Sequence, residues 1–78
     1  MITQAEAIIA AFQGLGGKRT IREIEDWVTA NYGDKWKDFS TQMADMVPLS
    51  HGGNGTSSVP DYFRVLERVQ RGTYCLID

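Results

Sequence analysis

The sequence contains a single cysteine, Cys75, and a single histidine, His51. One cysteine cannot form an internal disulfide, and these two residues provide too few ligands for a tetrahedral zinc site. We therefore expect no metal, no cofactor and a reducing, cytoplasmic setting. His51 is expected to be a loop residue without chemistry. Cys75, in a predicted strand, is expected to be buried and inert, because nothing near it in sequence would activate its thiol.

Long apolar runs and basic residues are also scarce. The longest apolar run, residues 5–12, is interrupted by Glu6, so the sequence predicts neither a membrane span nor a signal peptide. Asp and Glu outnumber Lys and Arg by 10 to 8, for a formal net charge of -2. This balance argues against a strongly basic nucleic-acid clamp and leaves open a local basic face.

The chain is short, and its 78 residues indicate one domain, residues 1–78. Hydrophobic residues make up 42% of it, which is enough for a single core. A catalytic pair of carboxylates is not evident, since Glu25 and Asp26 are adjacent and point apart on a helix. We therefore expect a protein that is not an enzyme.

Two helices are predicted in the first half of the chain, and both begin at the same motif. The tetrapeptides TQAE from Thr3 and TIRE from Thr20 fit the capping box, in which two side chains satisfy free amides at a helix start. An apolar stripe at helical spacing follows each motif and ends at glycine. The stripes are Ala5, Ile8, Ile9, Phe12 and Leu15, then Ile21, Ile24, Trp27, Val28 and Tyr32; the predicted stops are Gly14, Gly16 and Gly17, then Gly33.

A third helix is predicted to begin at Asp34 or Asp38 and to close at Pro48, after a short turn at residues 32–34. Its apolar face comprises Trp36, Phe39, Met43, Met46 and Val47. We expect Trp27 and Trp36 in the core. The predicted contacts among the three helices involve Ile8, Phe12, Ile24, Val28, Phe39 and Met43.

The remainder of the sequence changes character. Residues 48–60 are predicted to form a long loop, because residues 50–58 are almost wholly turn-forming and indicate a mobile or functional segment. A β-hairpin follows, with its second strand at residues 73–77 and a glycine-containing turn. Residues 60–64 are predicted to begin the first strand; a helical turn capped by Ser58 is the alternative.

The order of three helices and a terminal hairpin resembles a winged helix-turn-helix domain. The segment RGTYCL, residues 71–76, is similar to the R-G-x-Y-x-L ending of its wing. In particular, nearly the whole chain resembles small winged-helix modules attached to bacterial restriction and DNA-processing enzymes. This resemblance implies an α+β fold that binds double-stranded DNA, with the third helix in the major groove and the wing on phosphates or in the minor groove. The DNA contacts it implies are Lys37, Ser40, Thr41 and Gln42 on the third helix, and Arg68, Gln70 and Arg71 on the wing.

Two functions therefore compete: a DNA-binding accessory domain or small regulator, and a protein–protein adaptor with the same fold. The basic residues fall into three groups, namely Lys18, Arg19 and Arg22; Lys35 and Lys37; and Arg64, Arg68 and Arg71. A face that holds Lys37 with the wing arginines and excludes carboxylates would favour DNA. Asp38 and Asp45 on that same face would favour the adaptor, because they repel phosphate.

Overall fold

The structure, a computed structural model, describes residues 2–53, 55 and 59–77. In that part of the chain, three helices precede a C-terminal hairpin, in the α+β layout of a winged-helix domain, which confirms the predicted fold. The helices are α1 (Gln4–Leu15), α2 (Ile21–Tyr32) and α3 (Phe39–Asp45), and the strands are β1 (Arg19–Thr20), β2 (Leu66–Gln70) and β3 (Thr73–Leu76). The sheet is antiparallel in the order β1-β3-β2.

Both predicted capping boxes are present. The Glu6 amide donates to Thr3 Oγ1 at 3.2 Å, and the Thr3 amide donates to Glu6 Oε1 at 2.9 Å. The box of Thr20 and Glu23 repeats these distances. In each box, the hydrogen bond from the threonine amide is the main cause that lowers the pKa of the glutamate. Both helices are therefore stabilised at their starts by residues of their own first turn.

Glycines close α1 and α2 as predicted, with one exception. Gly16 and Gly33 are the C-caps, with φ of 73° and 89°, and their amides donate to Phe12 O and Thr29 O. Gly14, predicted as a stop, instead lies inside α1. A Cβ there would stand 3.0 Å from the Trp27 ring, so this glycine allows α1 and α2 to approach closely.

The third helix is shorter than predicted. Asp38 is its N-cap, in the left-handed conformation with φ of 54°, and the helix ends at Met46. The connection from α2 therefore covers residues 33–38 rather than a short turn. Trp36 lies in that connection and not on the helix, contrary to the prediction.

One core joins the helices to the sheet. It contains all six residues predicted to make the contacts among helices, together with Met46, Val47, Leu66 and Tyr74. The two tryptophans differ from the prediction, because Trp27 and Trp36 are only half-buried. The ring of Tyr32 lies between them in edge-to-face contact with both, with centroids 6.1 and 6.5 Å away. These aromatics form the rim of the core.

The segment between α3 and the hairpin contains two short 3₁₀ helices, Leu49–His51 and Asp61–Phe63. The second shows that the strand prediction for residues 60–64 is wrong and the helical alternative is right; the Ser58 cap lies outside the described residues. The predicted mobility of residues 50–58 likewise falls partly on undescribed positions, 54 and 56–58.

Strand β1 has no counterpart in the sequence prediction. It pairs Arg19 with Tyr74 and Thr20 with Thr73, and the Ile21 amide then donates to Gly72 O at 3.1 Å. Two residues are too few for a visible alternation of apolar and polar side chains. Strand β1 fixes the start of α2 against the hairpin.

Within the described residues, none of the helices has the length and apolar character that crossing a membrane requires.

Candidate nucleic-acid interface

The exposed face of α3 is made of small side chains. Ser40, Thr41 and Ala44 are exposed, whereas Phe39 and Met43 are buried on the opposite side, as the 3.6-residue period requires. Small residues allow a helix backbone to come close to whatever binds it. Two of the predicted DNA contacts, Ser40 and Thr41, thus lie on the solvent side.

Gln42 lies apart from them. It is half-buried and borders a groove formed by the start of α1 and residues 59–63. Its position on the helix is closer to the buried side, and its side chain is therefore directed to this groove rather than along the face of Thr41 and Ala44. Of the predicted contacts on α3, Gln42 is the one that the structure separates from the others.

The start of α3 is negatively charged. Asp38 Oδ1 accepts hydrogen bonds from the Thr41 amide at 3.2 Å and from Ser40 Oγ at 3.1 Å. Hydrogen bonds from Thr41, and then from the Ser40 hydroxyl, lower the pKa of the Asp38 carboxyl. The carboxylate therefore stays ionised at neutral pH, engages the Ser40 hydroxyl, and repels phosphate at this end of the helix.

Lys37 precedes this cap. Its side chain is exposed, and its carbonyl accepts a hydrogen bond from Gln4 Nε2 at 3.1 Å. This bond ties the segment before α3 to the first turn of α1. The backbone that carries Lys37 is thus held in place, although the neighbouring Asp38 offsets its charge.

The wing carries its charges on defined sides. Arg68 is opposite Tyr74 in the ladder and follows Leu66 by two residues, so both lie on the face of the hairpin directed toward the helices. Glu67, opposite Cys75, lies on the other face. The alternation of the strand therefore separates the Arg68 guanidinium from the neighbouring carboxylate.

An irregularity at Val69 changes the register near the wing tip. The ladder passes from Arg68↔Tyr74 to Gln70↔Thr73, and Val69 is left without a partner in it. Bulges of this kind twist an edge strand and re-aim the side chains beyond them. Gln70 ends β2 and Arg71 follows it in the turn, and both are exposed.

The end of α3 and the wing meet at a small cavity of about 190 Å³. Its lining consists of Ala44, Val47, His51, Gly52, Arg68 and Tyr74. Arg68 of the wing and Ala44 on the exposed face of α3 thus line one cavity. His51, expected to be a loop residue without chemistry, lines the same cavity.

Arg64 does not belong to the basic group of the hairpin. Its residue is 8% exposed, its Nη1 donates to Val47 O at 3.0 Å, and its Nε donates to Val59 O at 3.2 Å. The guanidinium therefore holds the end of the α3 region, defined as residues 39–47, against the segment that leads into the wing. Its role is structural, and the third basic group is reduced to Arg68 and Arg71.

The first basic group, Lys18, Arg19 and Arg22, runs from the residue before β1 into the first turn of α2, and two of its members are paired with carboxylates. Arg19 contacts the Leu15 and Gly16 carbonyls and pairs with Glu23 at 3.1 Å. Arg22 pairs with Asp26 at 3.3 Å.

The charges around α3 favour neither DNA binding nor the adaptor along the whole helix. Asp38 lies at the start of the helix, and Arg68 lies near its end at Ala44. Asp45 is half-buried. The positive charge near this surface therefore comes from the wing, whereas Asp38 makes the start of α3 negative.

Cys75 is more accessible than predicted. It is half-buried and borders a groove of about 510 Å³ with Phe12, Lys18 and Leu76 among its neighbours. The buried residue on β3 is the adjacent Tyr74. Among the described residues there is no group of three or more His, Cys, Asp or Glu side chains that could hold a metal ion.

The chain matches no protein family model, and neither the curated proteins nor the solved structures gave a match.

Proposed function

We propose that this chain is a non-catalytic module that binds double-stranded DNA through the exposed face of α3 and the wing. The observation that supports the proposal is the cavity that Arg68 of β2 and Ala44 of α3 both line. Winged-helix domains bind DNA with their third helix and their wing. DNA binding by this chain therefore requires that α3 and the wing form one continuous surface. The exposed Gln70 and Arg71 extend that surface to the wing tip.

The structure suggests different roles for the predicted contacts. Arg68 and Arg71 are proposed to contact phosphates, because they are exposed cations on one hairpin. Thr41 is proposed to contact bases, since it is exposed at the centre of the solvent side of α3. Lys37, Ser40 and Gln70 are proposed as additional contacts beside these residues. Gln42 would lie at the border of the DNA-binding surface.

The salt dependence of duplex binding tests the wing. Arg71→Ala should lower affinity for all duplexes alike and flatten the slope of log affinity against log salt by about one unit, as for one lost phosphate contact. Arg22→Ala is the matched control, because it removes the same charge from the exposed surface of α2. Its slope should equal that of the wild type.

Thr41→Ala tests the helix. It should change the preference among duplex sequences and leave the salt slope unaltered, because a base contact carries sequence information and releases no counterions. A wild-type protein whose NMR spectrum does not shift with duplex DNA at low salt would refute the DNA proposal.

A protein-interaction adaptor is the second candidate, and two observations favour it. The ionised Asp38 carboxylate at the start of α3 opposes phosphate. Tyr62 is 74% exposed and borders the groove at the start of α1. Its ring packs edge-to-face on that of Phe63, with the ring centroids 4.6 Å apart. Exposed aromatics of this kind are typical anchors in protein interfaces. A failure to bind DNA would make this the preferred function.

A further inference from the structure

The cavity between α3 and the wing contains two groups that can hold an anion. We propose that His51 and Arg68 together bind one phosphate of the DNA backbone, and that protonation of His51 makes this contact dependent on pH. The proposal rests on the proposed DNA binding and adds to it a specific residue outside the predicted contacts, and a regulation.

The placement of the two side chains supports a shared ligand. His51 ends the 3₁₀ helix Leu49–His51, Arg68 comes from β2, and both line the same cavity of about 190 Å³. This volume is below the roughly 300 Å³ at which pockets for whole small molecules begin. The site therefore suits a single group, such as a phosphate, that belongs to a larger ligand.

Among the residues that the structure describes, Arg68 is the only other charged residue in the lining of the cavity. The remaining lining residues are Ala44 and Val47 from the α3 region, Gly52, and Tyr74 from β3. The Ser50 hydroxyl lies 3.1 Å from His51 Nδ1. Asp45 is adjacent to Ala44 in sequence and does not line the cavity, and residues 52–60 carry no charged side chain. Within the described part of the lining, no carboxylate therefore opposes His51 and Arg68.

Imidazole gains its positive charge as the pH falls below neutrality, whereas guanidinium is charged throughout. A phosphate held by both groups must bind more tightly when His51 is protonated. By linkage, DNA must then favour the protonated imidazole by the equivalent amount. This reciprocity provides two independent measurements of the same contact.

The first measurement is duplex affinity by fluorescence anisotropy between pH 8.0 and 5.5, at constant salt. The wild type should gain about fivefold or more at the acidic end, the lower range of measured couplings between sites. His51→Gln should remove this gain and still bind at pH 8.0. If both proteins respond to pH alike while binding DNA, the His51 inference is wrong and the DNA proposal stands.

The second measurement follows the imidazole resonances directly, since the chain has one histidine. Duplex DNA should shift these imidazole resonances in the wild type and shift them less in Arg68→Ala. Inorganic phosphate at pH 5.5 is the probe that does not require DNA binding. A shift with phosphate and none with DNA would overturn the contact with the DNA backbone and keep the anion site. No shift with either would overturn the His51 site, while shifts of other resonances with duplex DNA would leave the proposed function standing.

A double-mutant cycle identifies the partner. His51→Gln and Arg68→Ala should be non-additive in DNA affinity, because they contact the same phosphate. His51→Gln and Arg71→Ala should be additive, since Arg71 carries the same charge on the same hairpin and does not line the cavity. Additivity in both pairs would overturn the shared site.

Discussion

The first and second halves of the molecule are built in different ways. In residues 4–32, each helix has its start and stop within its own sequence, as the two capping boxes and the glycine caps show. In residues 33–77, backbone groups are held by distant residues: Arg64 binds Val47 O, and the Leu66 amide donates to Met46 O at 3.1 Å. The two helices of the first half are therefore specified locally, whereas strand β1 between them and the second half depend on tertiary contacts. The candidate interface lies in the second half.

The largest expected effect tests whether the two halves share one core. Phe39 is 3% exposed and Phe12 is 1% exposed, in the same cluster. Phe39→Ala and Phe12→Ala should each reduce the free energy of unfolding by about 3–5 kcal/mol, the usual range for a truncated buried aromatic. Urea denaturation measures both. A loss below about 1 kcal/mol for Phe39→Ala would mean that α3 contributes little to a common core.

Two arginines of the second half should behave in opposite ways. Arg64→Met removes the donors that satisfy two carbonyls and should cost about 2–3 kcal/mol of stability. Arg68→Met, the same change four positions along the chain, should alter stability by no more than about 0.5 kcal/mol and weaken DNA binding. Equal costs of unfolding for the two variants would contradict the structural role of Arg64.

Gly53 tests the return of the chain onto the end of the α3 region. A Cβ at this position would overlap the Val47 carbonyl, and the Gly53 amide donates to Pro48 O at 2.9 Å. Gly53→Ala should therefore cost about 1–3 kcal/mol, as overpacking does. Gly55→Ala is the control, because its Cβ would stand 3.6 Å from a Leu49 methyl group, in ordinary contact. If thermal unfolding places the two variants at the same midpoint, the segment does not pack as described.

The helix caps of the first half should have smaller, independent effects. Thr3→Ala and Thr20→Ala each remove one N-cap acceptor and should cost about 1 kcal/mol. The double variant should show the sum, because the two caps share no partner. A marked departure from additivity in urea denaturation would show that the two starts are coupled through tertiary structure, which would weaken the contrast between the halves.

The smallest effect concerns acid. The pKa values of Glu6 and Glu23 are lowered from the ordinary 4.5, so their contribution to stability is present above that pH and is lost as the pH falls through the lowered values. Replacing both with Gln keeps a capping box and removes the titration. Denaturation midpoints from pH 6 to 2.5 should therefore decline less steeply for Glu6→Gln/Glu23→Gln than for the wild type. Parallel curves for the two proteins would show that these carboxylates do not cause the loss of stability in acid.

The sequence by itself determined the helical half, the presence of the hairpin and most of the core. Capping boxes and helical apolar spacing are local patterns, and they placed Ile8, Ile24 and Met43 correctly because burial follows the period of a helix. Of the predicted contacts, the exposure of Thr41 and Arg71 follows from the same period and from the hairpin turn.

Only the tertiary structure decided the rest. Arg64 and Arg68 look alike in sequence, but Arg64 is buried and donates to the Val47 and Val59 carbonyls, whereas Arg68 is exposed. Strand β1 exists because β3 provides its partner, and two residues carry no pattern of their own. His51 and Arg68 are separated along the chain and meet in one cavity. Contacts between distant residues depend on how elements pack, and a local pattern does not encode that packing.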